Sequence, residues 1–216
     1  MQKDADMIGI YGRRRSGKST QIKERTQNHN RVVAYDPMEE YGAYGYKTCK
    51  SMKHVLQAIK AGWSKGFRVA YVPPTSKLGA MESLHKLSWL LLNVQKPYFN
   101  NVPIPKVLFV VDELKKAFPG SGLPDQFDGF VEMCERGGHY GIDLVGASQR
   151  VSKVNTVFRG NCSERYFYAQ NEAIDVDAIV KMVGREHRQT IQRLQTHEYL
   201  RLQDGIVTPG KNSLYG

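Results

Sequence analysis

Residues 12–19 read Gly12-Arg13-Arg14-Arg15-Ser16-Gly17-Lys18-Ser19, which satisfies the phosphate-loop spacing G-x-x-x-x-G-K-[ST] at every defining position. The chemistry such spacing supports is the grip of a nucleoside triphosphate. Glycines at both ends let backbone N–H groups turn inward around phosphate oxygens, and a following helix N-terminus adds a favourable dipole. Lys18 is expected to reach the β- and γ-phosphates and the Ser19 hydroxyl to ligate Mg²⁺. Ser16 and Thr20 complete the loop and its first helical turn. Arg13, Arg14 and Arg15 are counted in the loop, but whether they meet phosphate, a neighbouring subunit or solvent stays open.

A second group with chemical potential is Asp112-Glu113, at the end of the apolar run Val107-Leu-Phe-Val-Val111. A buried strand delivering a carboxylate to the rim of a sheet is a Walker B element. Asp112 would hold Mg²⁺ directly or through water. Glu113 would then stand beside the γ-phosphate and polarise an attacking water. A third is Gln149, which follows Leu144-Val-Gly-Ala-Ser148 and can contact the γ-phosphate or that water.

These groups need a frame. Apolar runs at 7–11, 31–35, 67–72, 106–111, 142–147 and 164–169 read as strands. Helical spacing at 18–28, 51–63, 81–95, 127–135 and 173–183 separates most of them. Pro97 is expected to end the third helix. The alternation predicts an α/β fold with a mostly parallel sheet and helices on both faces, in a single domain over 1–216. About 197–216 is expected to be a C-terminal hairpin or arm, turning at Asp204-Gly205. A chain of 216 residues, 41% apolar, can bury one sizeable core. No apolar stretch approaches the ~18 residues of a membrane span. Met1–Asp6 lacks an apolar signal core, so a cytoplasmic location is expected. Cys49, Cys134 and Cys162 have neither disulfide nor zinc spacing, and His139 and His187 are read as non-ligands. The net charge of +10 favours a polyanionic partner.

Four stretches together carry a resemblance: the loop at 12–19; Asp36-Pro37-Met38-Glu39-Glu40-Tyr41; Asp112-Glu113; and Glu135-Arg136-Gly137-Gly138-His139-Tyr140-Gly141-Ile142 followed by Ala147-Ser148-Gln149-Arg150. Across roughly residues 7–160 the chain resembles the FtsK–HerA superfamily of P-loop NTPases (RecA/ASCE-like), and within it the small viral and phage genome-packaging ATPases. Ser148 and Val151 depart from the Thr and Pro usual there. The resemblance implies hydrolysis of ATP with Mg²⁺, coupled to sequence-nonspecific pumping of double-stranded DNA. It implies a hexameric or pentameric ring of identical subunits at a capsid or portal vertex, in host cytoplasm or with the virion. Lys18, Glu113 and Gln149 would be catalytic. Arg136 matches the arginine donated in trans, with Arg150, Arg159 and Arg185 as alternatives. Pore-loop candidates are Lys115-Lys116 with the 119–124 loop, and Ser152-Lys153 with Arg159. A filamentous-phage (Zot-like) assembly ATPase, a small nucleoside or nucleotide kinase, and a non-hydrolysing ATP switch remain alternatives.

Overall fold

The computed structural model describes residues 5–213. The first four residues of the N-terminal segment, and the last three of the expected C-terminal arm, lie outside that range. Among the described residues nine strands form one sheet: β1 (Met7–Tyr11), β2 (Arg31–Tyr35), β3 (Lys47–Cys49), β4 (Phe67–Tyr71), β5 (Val107–Val111), β6 (Ile142–Ser148), β7 (Glu164–Tyr168), β8 (Glu198–Gln203) and β9 (Ile206–Lys211). Their order is β3-β4-β2-β5-β6-β1-β7-β8-β9. All pairs from β3 to β7 are parallel, and β8 and β9 add an antiparallel edge. The helices are α1 (Lys18–Gln27), α2 (Met52–Gly62), α3 (Lys77–Val94), α4 (Lys96–Phe99), α5 (Leu114–Ala117), α6 (Gly129–Arg136), α7 (Thr156–Asn161), α8 (Ala173–Val183) and α9 (Arg188–Arg193).

Parallel strands buried on both faces must be apolar throughout, as Val107–Val111 is. The pleat then sorts alternate residues between two cores. Val33, Tyr35, Val107, Phe109, Val111 and Leu144 face the large core under α2, α3, α6, α7 and α8. Ile8, Ile10, Val32, Leu108, Val110 and Ala147 face a smaller core closed by Ile22 of α1 and by Tyr41 and Tyr46. Gly146 sits where a Cβ would meet Phe158 at 2.4 Å and Leu114 at 2.5 Å, so a glycine is what lets α5 and α7 close onto β6.

Two expectations need correcting. α3 begins at Lys77 rather than Met81, because Ser76 accepts the Gly79 N–H and caps it. Pro97 stops nothing; it lies in the first turn of the separate short helix α4, a position where its missing N–H is harmless. β3 went unread because it is a three-residue edge strand with one buried side chain.

Candidate nucleotide-hydrolysis site

β6 lies between β1 and β5, so the residue after β6 must emerge between the phosphate loop after β1 and the acidic pair after β5. It does: Gln149 Nε2 donates to Glu113 Oε1 at 2.5 Å. Ligands of open α/β sheets bind at this carboxyl edge, where the chain reverses its direction of winding.

The phosphate loop is pinned from both sides. Gly12 N–H donates to Ser148 O at 3.2 Å and Arg13 N–H to Ala169 O at 2.8 Å. Gly17 has φ +118°, a conformation that favours glycine, at the start of α1. α1 has no side-chain cap and no acidic residue in its first turn. Its first N–H groups, which no intrahelical carbonyl accepts, therefore suit an anion. Lys18 is buried and donates from Nζ to Arg13 O at 3.0 Å. Burial pushes its ammonium pKa down, and the charges of Glu113 and Asp112 oppose that shift. Ser16 Oγ is buried without a partner among the described residues, and Ser19 is exposed. Thr20 is buried. Arg13 reaches Asn171 Oδ1 at 3.1 Å, and Arg14 and Arg15 are exposed.

Glu113 itself has φ +50° and heads α5, and its N–H donates to Asp112 Oδ1 at 2.9 Å. A non-glycine residue held there is backbone strain placed at the chemistry. Burial, then the neighbouring Glu113 charge, raises the Asp112 pKa to about 6. Glu40 adds to that rise, and the Lys18 ammonium partly offsets it. Asp112 and the Ser19 hydroxyl border one cavity, and these oxygen donors suit a hard divalent cation.

The Asp36–Tyr41 segment serves the same edge. The buried Asp36 carboxylate accepts the N–H groups of Glu40 at 3.1 Å and Tyr41 at 2.9 Å. That turn brings Glu40 and Tyr41 to a cavity of about 310 Å³ that also borders Ser19 and Asp112. Burial, reinforced by the Asp112 charge, raises the Tyr41 pKa well above its ordinary value.

Arg136 is not brought to this site. It ends α6 at the opposite edge of the sheet, before β6 begins, and the seven residues of β6 separate it from Gln149. At ~3.3 Å per residue that is about 23 Å, which sets Arg136 far from the phosphate loop of the same chain. It is half-exposed, paired with Glu132 at 3.2 Å, and lies over the Phe99 ring. Arg150 is committed elsewhere: its Nε donates to the buried Asp175 at 2.7 Å. Arg159 donates to Val154 O at 3.0 Å, and Arg185 is exposed.

The sequence reading missed the far wall of the loop, which the C-terminal hairpin supplies. His197 N–H donates to Ser16 O at 2.8 Å, and Thr196 and His197 line a cavity of about 310 Å³ over residues 15–20. The buried Asn212 donates from Nδ2 to Gln21 Oε1 and to Tyr168 Oη, each at 3.0 Å. These residues carry no local motif, and their partners lie up to 191 positions away.

A parallel sheet with this strand order, a phosphate loop after β1 and an acidic pair after β5 define the P-loop NTPase fold. Genome-packaging NTPase B204 from Sulfolobus turreted icosahedral virus 2, in complex with AMPPCP, superposes with a TM-score of 0.74 over 98% of this chain and 99% of that one, at 17% identity. B204, the DNA-packaging ATPase from Sulfolobus turreted icosahedral virus, gives 0.69 over 95% and 97%, also at 17% identity. ATPases 2 and 3 of EssC from Geobacillus thermodenitrificans give 0.55 at 13% identity, over 96% of this chain and 39% of that one. No protein-family model and no curated protein sequence matches. The chain shares the fold of these ATPases over 95–98% of its length.

Proposed function

We propose that this protein is an ATP-hydrolysing DNA translocase, a single P-loop domain that packages a viral genome as double-stranded DNA. The observation that carries the reading is the contact of Gln149, at the end of the strand beside the phosphate-loop strand, with Glu113 of the acidic pair. Kinases need a phosphate loop but no polarising glutamate held by a strand-end glutamine. The basic charge and the likeness to B204 over the full chain support the same reading.

In this mechanism Lys18 leaves Arg13 O to meet the β- and γ-phosphates, while α1 N–H groups hold the anion. Mg²⁺, held by Ser19 and Asp112, would neutralise charge on the phosphate oxygens. Glu113 accepts the proton of the attacking water, a contribution of ~10²–10⁴-fold for a positioned base. Gln149 fixes the Glu113 carboxylate in place. Being at the end of β6, it ties the site to the strand that joins the two halves of the sheet. Arg136, remote from its own loop, would reach the site of the next subunit in a hexameric or pentameric ring, a contribution of ~10³-fold or more. Such a ring would work at a capsid or portal vertex in the host cytoplasm. No helix among the described residues is long and apolar enough to cross a membrane.

The test is ATP turnover with and without duplex DNA, paired with particle mass by light scattering. DNA stimulation of a ring-sized particle supports the proposal. A DNA-indifferent monomer that phosphorylates a nucleoside overturns it.

A further inference from the structure

We propose that Lys77, Lys115 and Lys153, with the Gly120-Ser121 turn, form the groove that holds the phosphate backbone of duplex DNA. DNA seated there acts on Glu113 through Lys115. The proposal rests on the function above and adds to it a contact surface and a route of regulation.

The three lysines come from three separate elements and converge on one groove of about 530 Å³, floored by Pro119, Gly120 and Ser121. Lys77 opens α3, Lys115 lies in α5, and Lys153 ends the 3₁₀ turn Val151–Lys153 that follows β6. All three stand on the carboxyl edge of the sheet, the edge that carries the nucleotide site. Lys77 and Lys153 are exposed. The framework beneath them is tied down. Gly120 N–H donates to Lys153 O at 2.8 Å, and Asn155 N–H to Phe118 O at 3.1 Å. Lys116 Nζ donates to Thr75 O, joining α5 to the approach to α3. Ser152 donates from its N–H and its Oγ to the buried Asp175, at 3.0 and 2.6 Å.

Gathering like charges here works against folding unless an anion joins them. Lys77 sits at a helix N-terminus, where the dipole is already positive, and that first turn holds no acidic residue. Lysines are compact point charges suited to phosphate, and phosphate contacts position a duplex without reading its sequence. Lys115 connects the groove to the chemistry: its Nζ lies 4.0 Å from Glu113 Oε2. A phosphate in the groove competes for that ammonium and changes the field on Glu113. Lys115 is therefore a positioning residue.

Binding of a labelled duplex is measured by anisotropy across a salt series without nucleotide, and hydrolysis is measured separately. Lys77→Gln/Lys153→Gln is expected to melt at or slightly above the wild-type temperature, since it relieves like-charge repulsion in the unliganded groove. Its slope of log K against log salt should fall in magnitude by about 2, one contact per lysine. Wild-type affinity and slope in this variant overturn the groove. Lys115→Gln is expected to bind DNA yet lose its stimulation, with Lys115→Arg restoring it; full stimulation in Lys115→Gln overturns the coupling. Preference of the wild type for duplex RNA or heparin over duplex DNA contradicts the assigned ligand. A wild type that hydrolyses ATP without retaining DNA overturns the groove and leaves the ATPase standing. One that binds DNA through these lysines but never hydrolyses ATP supports the groove and overturns the ATPase.

Discussion

Gln149 Nε2 and Glu113 Oε1, 36 positions apart in the chain, meet at 2.5 Å across the gap between β6 and β5. The contact assigns different work to the two residues. Glu113→Gln is expected to bind ATP and DNA normally while hydrolysis falls by about 10²-fold or more. Gln149→Ala, which frees the carboxylate without removing it, should cost less. Single-turnover hydrolysis beside equilibrium nucleotide binding separates the two. Retained hydrolysis in Glu113→Gln contradicts the role of the base.

The Asp112 pKa near 6 predicts a pH dependence of stability in the metal-free protein. Below pH ~4 the carboxyl is protonated in both folded and unfolded chains and contributes nothing. Between pH ~4 and ~6 the unfolded chain ionises first, so the folded state loses stability as pH rises. Above ~6 the full penalty applies, about 3 kcal/mol at most for a shift of ~2 pKa units. Asp112→Asn should therefore melt higher than wild type at pH 8 and similarly at pH 4, while losing its response to Mg²⁺. Equal melting temperatures at pH 8 contradict the assignment.

Arg136 and Arg150 should separate cleanly. Arg136→Ala breaks one exposed i,i+4 pair and one exposed cation–π contact, together worth ~1 kcal/mol, so its melting temperature should move little. Its turnover should fall by ~10³-fold. Mixing it with Lys18→Ala subunits should recover activity, because each supplies what the other lacks. Arg150 belongs instead to the frame: Asp175→Ala leaves it unpaired and orphans the Ser152 N–H, costing about 3 kcal/mol. Denaturant midpoints and mixed-subunit turnover decide between these roles.

The C-terminal hairpin should act on nucleotide affinity rather than on chemistry. Asn212→Ala removes two donated hydrogen bonds from a buried cluster in which Tyr168 Oη still donates to Gln21 Oε1, costing about 1 kcal/mol of stability. It should raise the Kd for a non-hydrolysable ATP analogue while turnover at saturation stays near wild type. A fall in saturated turnover with unchanged Kd contradicts this.

What could be read from the sequence followed from local rules. The loop at 12–19, the strand ending at Asp112-Glu113 and the turn at Asp204-Gly205, where both residues take positive φ, are each encoded within a few positions. The parallel strands were readable because burial on both faces forces continuous apolar runs. The position of Gln149 beside Glu113 needed the strand order, which no local pattern contains. The His197 and Asn212 contacts depend on β8 pairing with β7, and the lysine groove assembles from three separate elements. α5 and α7 are too short for helical periodicity to show.

The central claim is that hydrolysis moves DNA. A triplex-forming strand annealed to a duplex reports that movement directly, because a translocating motor displaces it. The wild type with ATP should displace the strand, and Glu113→Gln, which still binds both ligands, should not. DNA-stimulated hydrolysis by the wild type with the third strand left in place would contradict the account.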